Sequence, residues 1–390
     1  MRIVLTGGGT AGHILPHVAI IEEVKNDKNY DFLYIGSKDG LEKKIIEKLK
    51  IPFKSVLTGK LRRYFSWQNF LDLFKIPIGI LQSIFILKKF NPDVIFSKGG
   101  YVSVPVVIAG FFLRKRIVLH ESDISIGLAN KICSFFADEI LLANEISKKY
   151  FKNKKITVVG IPVRKSILSG SKEKARKLLG FDDKKPVLLV MGGSLGAQAI
   201  NEVIFEVLEE ILKRFQVIHI IGKRKNLESN VVNVSNVASV RHAYKLYGNY
   251  RSFEYVDENL ADFYALTDLI ISRAGANALA EFACLQKKVL LIPLSKFASR
   301  GDQIENAEDF IKKYGGQILY QENLNGKNLL SKIDDLKKKN GGREFGRREY
   351  EFGEREYEFE EREYEFARSR GDEEIIHLKA VKEILKSLIS

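Results

Sequence analysis

His13 follows directly on Gly7-Gly8-Gly9-Thr10-Ala11-Gly12, where the apolar run Ile3-Val4-Leu5 should turn into a helix. A helix N-terminus disfavours imidazolium, so a neutral histidine is expected there. A neutral imidazole can take a proton from an incoming hydroxyl. A capping or packing histidine would suit the same position, and the residue alone leaves both readings open. A second glycine loop, Gly192-Gly193-Ser194-Leu195-Gly196-Ala197, follows another apolar run, Val187–Val190. Glycine lets a ligand come close to the backbone, and the helix start behind it favours an anion.

Further polar residues stand at the ends of later apolar runs. Arg273-Ala274-Gly275-Ala276 precedes Glu281, which falls early in the next helix. A carboxylate there can take both hydroxyls of a ribose, while the turn's amides face a base or phosphates; a surface Glu and a loop Arg are the plain alternative. Gln303 and Asn306 share one helix face, and paired amides suit sugar hydroxyls because each offers donor and acceptor. N-capping and solvation would also explain them. Gly7-x-Gly9-x-x-Gly12 matches the dinucleotide fingerprint, but the next strand ends in Gly36-Ser37-Lys38 rather than in an acidic residue. That counts against an oxidoreductase.

The elements that must position these residues alternate. Strand-like runs are Ile3–Leu5, Phe32–Ile35, Val94–Phe96, Ile117–Leu119, Glu139–Leu142 and Ile156–Val159, with helical stretches such as His17–Val24 and Leu41–Leu49 between them. A second series comprises Val187–Val190, Val217–Ile221, Leu269–Ile271, Val289–Ile292 and Gln317–Leu319. Such alternation predicts an α/β protein with two doubly wound, parallel-sheet, Rossmann-like halves facing across a cleft. Residues 1–164 form the first domain, residues 165–340 the second, and residues 372–390 a closing helix that should pack on the first. Between them, residues 341–371 hold a seven-residue repeat, Arg-Glu-Tyr-Glu-Phe, starting at Arg348, Arg355 and Arg362. It reads as a low-complexity insertion, charged and either helical or disordered.

A chain of 390 residues is long enough for two domains with real cores. Its two cysteines, Cys133 and Cys284, lie in apolar context and read as buried thiols. The start has one charge and then a strand, so it does not read as a signal peptide, and a reducing cytoplasm is expected. The net charge of +14 suits an anionic substrate or membrane. Nucleic acid is not expected, since the lysines are spread out and no recognition motif appears. Residues 60–90 are rich in Phe, Ile and Leu and are bracketed by Lys60, Arg62, Arg63, Lys88 and Lys89. The longest uncharged run, Ile76–Leu87, is too short to span a bilayer. The stretch suits either a membrane interface or an ordinary core helix.

The order of pieces is informative. Gly8-Gly9-Thr10-Ala11-Gly12-His13-x-x-Pro16 is followed by Gly99-Gly100-Tyr101-Val102-Ser103, His120-Glu121 and Gly160-Ile161-Pro162-Val163-Arg164. Gly192-Gly193-Ser194-x-Gly196-Ala197, Arg273-Ala274-Gly275-Ala276 with Glu281, and Gln303-x-x-Asn306 come after. Together they resemble the MurG family, GT-B fold glycosyltransferases that add N-acetylglucosamine to undecaprenyl-diphospho-N-acetylmuramoyl-pentapeptide.

The resemblance implies an inverting transfer from UDP-GlcNAc to the C4 hydroxyl of the lipid-linked muramoyl sugar, in peptidoglycan synthesis. No convincing Asp-x-Asp metal motif is present, so a metal is not required, and no cofactor is expected. It implies His13 as base, and Thr10, Ala11 and Gly12 as the loop near the diphosphates. Arg164 and Ser194 would contact the nucleotide-phosphate part of the donor, Val256 the uracil, Glu281 the ribose, and Gln303 with Asn306 the GlcNAc hydroxyls. Asp123, Arg273 and Ala276 are further candidate contacts. The family also carries a membrane-docking patch in its N-terminal domain, which favours the interface reading of residues 60–90 and a peripheral place on the cytoplasmic face of the inner membrane. The chain departs from the family pattern in two places. His120-Glu121-Ser122-Asp123 stands where His-Glu-Gln-Asn is usual, and Ala278 where Thr is usual. Asp123, when ionised, can only accept hydrogen bonds and would repel a nearby diphosphate. Two rival readings remain: a transferase of this fold acting on another lipid or small-molecule acceptor, and a non-catalytic sugar-nucleotide-binding scaffold at the membrane.

Overall fold

A computed structural model describes residues 1–59, 67–151, 154–193, 196–222, 240–296, 301–338 and 376–390, with side chains described for all of these except 67–73, 240–247 and 337–338. Ser194 and the repeat of residues 343–371 thus lie outside the described residues, as do residues 60–66 of the aromatic stretch. Two compact units are present, Met1–Lys165 with His377–Ser390, and Ser166–Ile376.

The first unit holds seven parallel strands: β1 (Arg2–Thr6), β2 (Asp31–Gly36), β3 (Phe53–Ser55), β4 (Val94–Ser97), β5 (Arg116–Glu121), β6 (Glu139–Leu142) and β7 (Lys155–Val158), in the order β3-β2-β1-β4-β5-β6-β7. The helices α1 (Leu15–Glu23), α2 (Leu41–Lys48), α3 (Trp67–Phe90), α4 (Ser103–Phe112) and α5 (Leu128–Cys133) connect them. The strands are almost wholly apolar because side chains alternate between two covered faces. Ile3 and Leu5 join Val18, Ile20 and the closing helix (Ile376–Ile389) on one face. Val4 joins Val106, Val107 and Cys133 on the other.

The closing helix is tied down by more than apolar contact. Val381, Ile384, Leu385 and Leu388 enter the first core. The Arg116 guanidinium donates to the carbonyls of Leu388 (2.9 Å) and Ser387 (2.6 Å) and pairs with the buried Glu139. The Ile161 amide donates to Nδ1 of His377 (3.0 Å).

The second unit repeats the plan. Its strands are β8 (Val187–Met191), β9 (Gln216–Ile220), β10 (Val240–Tyr247), β11 (Tyr250–Val256), β12 (Leu269–Ser272), β13 (Lys288–Leu291) and β14 (Gln317–Ile318), ordered β10-β11-β9-β8-β12-β13-β14. Helices α6 (Lys165–Leu168), α7 (Lys172–Leu179), α8 (Gln198–Glu206), α9 (Leu208–Leu212), α10 (Leu260–Leu266), α11 (Ala276–Cys284), α12 (Asp302–Tyr314) and α13 (Gly326–Lys338) complete the segment. Three strands were not legible as apolar runs. β3 is short and largely exposed. β10 and β11 form an antiparallel hairpin around Gly248 and Asn249, and β11 mixes Arg251, Ser252 and Glu254 with its apolar residues. The stretch Ser169–Ser171 ends in a helix cap: the Ser171 hydroxyl accepts from the Lys174 amide (3.2 Å).

Candidate functional site

In parallel sheets, ligands gather at the C-terminal ends of strands, where the strand order reverses. In the first unit that point lies between β1 and β4. The loop after β1 runs through Gly9 and Thr10, both exposed, to a 3₁₀ turn, Ala11–His13, whose residues are half-buried. The loop after β4 carries Gly99 and Gly100, both at positive φ. A Cβ on Gly100 would overlap the Gly8 carbonyl and press on the His13 ring, so only glycine lets the two loops meet.

His13 is oriented by this meeting. Its Nδ1 lies 3.1 Å from the Lys98 carbonyl, which can only accept, so Nδ1 carries the proton and Nε2 is the basic atom. The first loop is also supported from below. The Tyr34 hydroxyl donates to the Gly7 carbonyl (2.8 Å) and accepts from Nδ1 of the buried His17 (3.3 Å). Burial first, then the charge of Lys98, holds His17 well below the usual histidine range.

A carboxylate that the sequence reading missed lies against this loop. Glu42 is fully buried, accepts from the Ser37 amide (3.0 Å) and hydroxyl (2.5 Å), and fills the space a side chain at Gly8 would need. It comes from the start of α2 rather than from the end of β2, six residues beyond Gly36, so a search at the strand end does not find it.

At the end of β5, Glu121 knits the following loop together. Its carboxylate accepts from the amides of Asp123 (3.1 Å) and Gly127 (3.2 Å) and from Asn130 Nδ2 (3.0 Å). Asp123 is half-buried on that loop. Arg164, also half-buried, ends the segment after β7. That segment is fastened at the Gly160 carbonyl, which accepts from Nε2 of His120 (2.7 Å).

In the second unit the order reverses between β8 and β12. The loop after β8 has Gly193 and Gly196 at positive φ, and the Gly196 amide donates to the Gly193 carbonyl (3.0 Å). It leads to the start of α8, whose amides point at whatever the loop holds. Ala276 opens α11 behind Gly275. Glu281 is buried, not on the surface: the Tyr264 hydroxyl donates to its Oε2 (3.0 Å) and lies 3.6 Å from the Met191 sulfur at the end of β8. This hydrogen bond fixes the carboxylate's plane, and Tyr264 is a partner that the apolar pattern of α10 concealed.

Arg273 and Gln303 come together on one segment. Arg273 Nη1 donates to the carbonyls of Ile292 (3.0 Å) and Pro293 (3.3 Å), and burial pulls its guanidinium down to about 10. The Leu294 amide donates to Gln303 Oε1 (3.1 Å). Arg273 is therefore turned inward as a brace, and a sugar hydroxyl at Gln303 would meet Nε2 as donor. Asn306 is buried one turn further along α12, and Val256 is buried at the end of β11 beside the exposed Tyr255.

The first unit also exposes apolar surface. Phe74, Ile78, Leu81 and Phe85 line one stripe of α3, while Ile80, Ile84 and Leu87 of the same helix enter the core. α3 packs on α4 and α4 on α5, whose ends add Phe111, Phe112 and Phe135. Phe85 is 73% exposed and Phe112 66%, which is high for large apolar rings. The core reading thus holds for one face of α3, and the other face is exposed. Among the described residues no helix is long and apolar enough to cross a membrane.

Comparison with known proteins agrees with this geometry. The profile of the glycosyltransferase family 28 N-terminal domain matches residues 3–142, and that of the family's C-terminal domain residues 187–361. A protein of Bacillus thuringiensis (strain Al Hakam), named UDP-N-acetylglucosamine--N-acetylmuramyl-(pentapeptide) pyrophosphoryl-undecaprenol N-acetylglucosamine transferase 3, is 48% identical over 87% of this chain and 92% of its own. A transferase of the same name from Clostridium perfringens (strain ATCC 13124) is 46% identical over 86% of this chain and 90% of its own. The crystal structure of Acinetobacter baumannii MurG superposes with a TM-score of 0.61 at 22% identity, covering 86% of this chain and 90% of that one, and shares the GT-B fold. The chain belongs to glycosyltransferase family 28 and, within it, to the MurG family of N-acetylglucosaminyltransferases.

Proposed function

We propose that this chain moves N-acetylglucosamine from UDP-GlcNAc to the C4 hydroxyl of undecaprenyl-diphospho-N-acetylmuramoyl-pentapeptide, with inversion at the anomeric carbon. The observation that carries the mechanism is the His13 tautomer, set by the Lys98 carbonyl. Nε2 takes the proton of the C4 hydroxyl as its oxygen attacks. UDP leaves as a stabilised diphosphate and needs no second acid. The helix starts behind the glycine loops, with Arg164, offset the charge that develops on it. Thr10, Ala11, Gly12 and Ser194 are assigned to the phosphates, Val256 to the uracil and Glu281 to the ribose. Gln303 and Asn306 are assigned to the sugar, and Asp123, Arg273 and Ala276 are kept as further candidate contacts.

The direct test is incubation with UDP-GlcNAc and the lipid-linked muramoyl-pentapeptide, followed by mass analysis of the lipid. A gain of one N-acetylhexosamine with release of UDP is expected. Transfer only to a different lipid or small molecule would favour the first rival reading, and tight UDP-GlcNAc binding without any transfer the scaffold. Glu281→Ala should weaken UDP-GlcNAc binding by about 1.5–3 kcal/mol, the worth of charge-assisted hydrogen bonds. Unchanged affinity in calorimetry would remove Glu281 from the ribose.

We further propose that the stripe of α3 and the ends of α4 and α5 dock on the cytoplasmic leaflet, with rings inserted and Lys88, Lys89 and Lys131, all exposed, on anionic headgroups. Binding to anionic vesicles should fall as salt rises. Phe85→Ser with Phe112→Ser should lower it further at every salt concentration, with no change in thermal midpoint. Vesicle binding that is absent at low salt, or indifferent to both changes, would end this assignment.

A further inference from the structure

His219 lies at the centre of a buried hydrogen-bond chain that ends against the second glycine loop. It stands on β9, and Tyr250 of β11 and Asn201 of α8 flank its ring. His219 is fully buried, and Tyr250 and Asn201 are buried with it. The direction of the chain follows from its last link. Asn201 Nδ2 donates to the Ile221 carbonyl (2.9 Å), so Oδ1 is the atom that faces Nε2 of His219 (3.0 Å). An amide oxygen only accepts, so Nε2 carries the proton. In the neutral ring Nδ1 is then an acceptor, and the Tyr250 hydroxyl donates to it (3.0 Å). Turning any one of these groups round would set donor against donor or acceptor against acceptor, so the chain holds a single arrangement.

The chain ends where the loop after β8 is supported. A Cβ on Gly196 would stand 2.4 Å from the Ile221 carbonyl oxygen and 3.0 Å from Gly222 Cα, so the loop rests directly on the turn after β9. Gly196 and Gly222 are both at positive φ. The Ile221 amide donates to the Phe253 carbonyl (2.9 Å), which ties the same turn to β11. Asn201 joins the turn to the helix, since its own amide donates to the carbonyl of Ala197, the N-cap of α8 (2.9 Å). One side chain therefore fixes the start of α8 against the end of β9. Amides at a helix start stabilise an anion only where they are already aimed at it. Tyr250, His219 and Asn201 are too deeply buried to touch a sugar nucleotide themselves, so they act on a ligand through the loop.

We propose that His219 is a positioning residue for the diphosphate of the nucleotide donor. Through Asn201 it sets the Ile221–Gly222 turn on which Gly196 rests, and with it the aim of the first amides of α8. This rests on the reading of the second unit as the UDP-GlcNAc site. The uridine is assigned to other residues, so a loss at His219 falls on the diphosphate and spares the nucleoside.

Two amide substitutions separate the links. In His219→Gln the longer side chain still offers a donor where Nε2 stood. In His219→Asn the shorter one stays on the Tyr250 side and leaves Asn201 Oδ1 without its donor. Calorimetry with UDP and with uridine, on the unaltered chain and on each variant, reads the outcome without any transfer step. His219→Asn should bind UDP about 10-fold more weakly, within the range that a hydrogen-bonded network transmits, with its uridine affinity unchanged. His219→Gln should recover most of the UDP affinity. In the transfer assay the same loss should appear in KM for UDP-GlcNAc and not in KM for the lipid acceptor. Asn and Gln variants that bind UDP alike, or a loss shared equally by uridine, would overturn the proposal. If His219→Asn shows no cooperative melt, Asn201→Ala cuts the chain one link later; a loss for UDP alone is expected there, and unchanged UDP affinity overturns the proposal equally. A chain that binds UDP in the expected order but moves no sugar keeps the positioning role and loses the transfer function. An unaltered chain that binds UDP no more tightly than uridine refutes the diphosphate reading of the loop, and the proposal with it.

Discussion

His13→Ala is expected to slow the chemical step by about 10²–10⁴-fold, the usual worth of a positioned general base, and to leave UDP-GlcNAc binding nearly unchanged. The expectation follows from how the ring is held. The Lys98 carbonyl accepts the hydrogen bond from Nδ1–H, so the atom with basic character is already selected in the resting protein. Loss of the ring removes that base, while the amides at the starts of the helices remain. Single-turnover transfer with saturating lipid acceptor isolates this step from substrate binding and product release. Turnover close to that of the unaltered chain would make His13 a packing residue beneath Gly100, where its ring also makes contact.

Ending the chain before the closing helix should prevent the first unit from folding stably. Val381, Ile384, Leu385 and Leu388 would vanish from the core, and each such side chain stabilises by about 1.5–3 kcal/mol when buried. Four of them amount to a large share of the roughly 5–15 kcal/mol that holds a whole domain together. The loss extends to polar groups. The Arg116 guanidinium would lose both carbonyl acceptors at Ser387 and Leu388, and the buried Ile161 amide its His377 acceptor. Replacing residues 343–371 with an equal number of Gly and Ser residues, with the helix kept, should leave both the melting transition and sugar transfer intact. Differential scanning calorimetry with a transfer assay on the two altered chains separates the helix from the repeat. A repeat-free chain that melts normally but transfers no sugar would show that the repeat takes part in the reaction. A helix-free chain that still melts cooperatively in both units would show that the first core is complete without its last segment.

Much of the fold was legible because parallel strands covered on both faces are written as apolar runs. Ile3–Leu5, Val187–Val190 and Leu269–Ile271 admit few other readings. The glycine loops were legible for a related reason: positive φ and close backbone approach exclude a side chain, so the requirement appears directly as residue type. β11 was not, since a strand beside an antiparallel partner tolerates polar residues on an open face.

The site divides along the same line. Sequence by itself determined which residues follow the C-terminal ends of strands, His13, Arg164, Glu281 and Gln303 among them, because strands and helices alternate in chain order. Only the tertiary structure decided what each of them faces. It turned Arg273 inward onto the carbonyls of Ile292 and Pro293, and gave Glu281 a hydrogen bond from Tyr264. It brought Glu42 under the first glycine loop from the start of the following helix. It also buried Lys98, which in sequence is one lysine among many, against His120 and Ser122. Those outcomes depend on contacts between segments far apart in the chain. The direction of a side chain and the dielectric around it follow from what packs there, and local sequence carries no record of that.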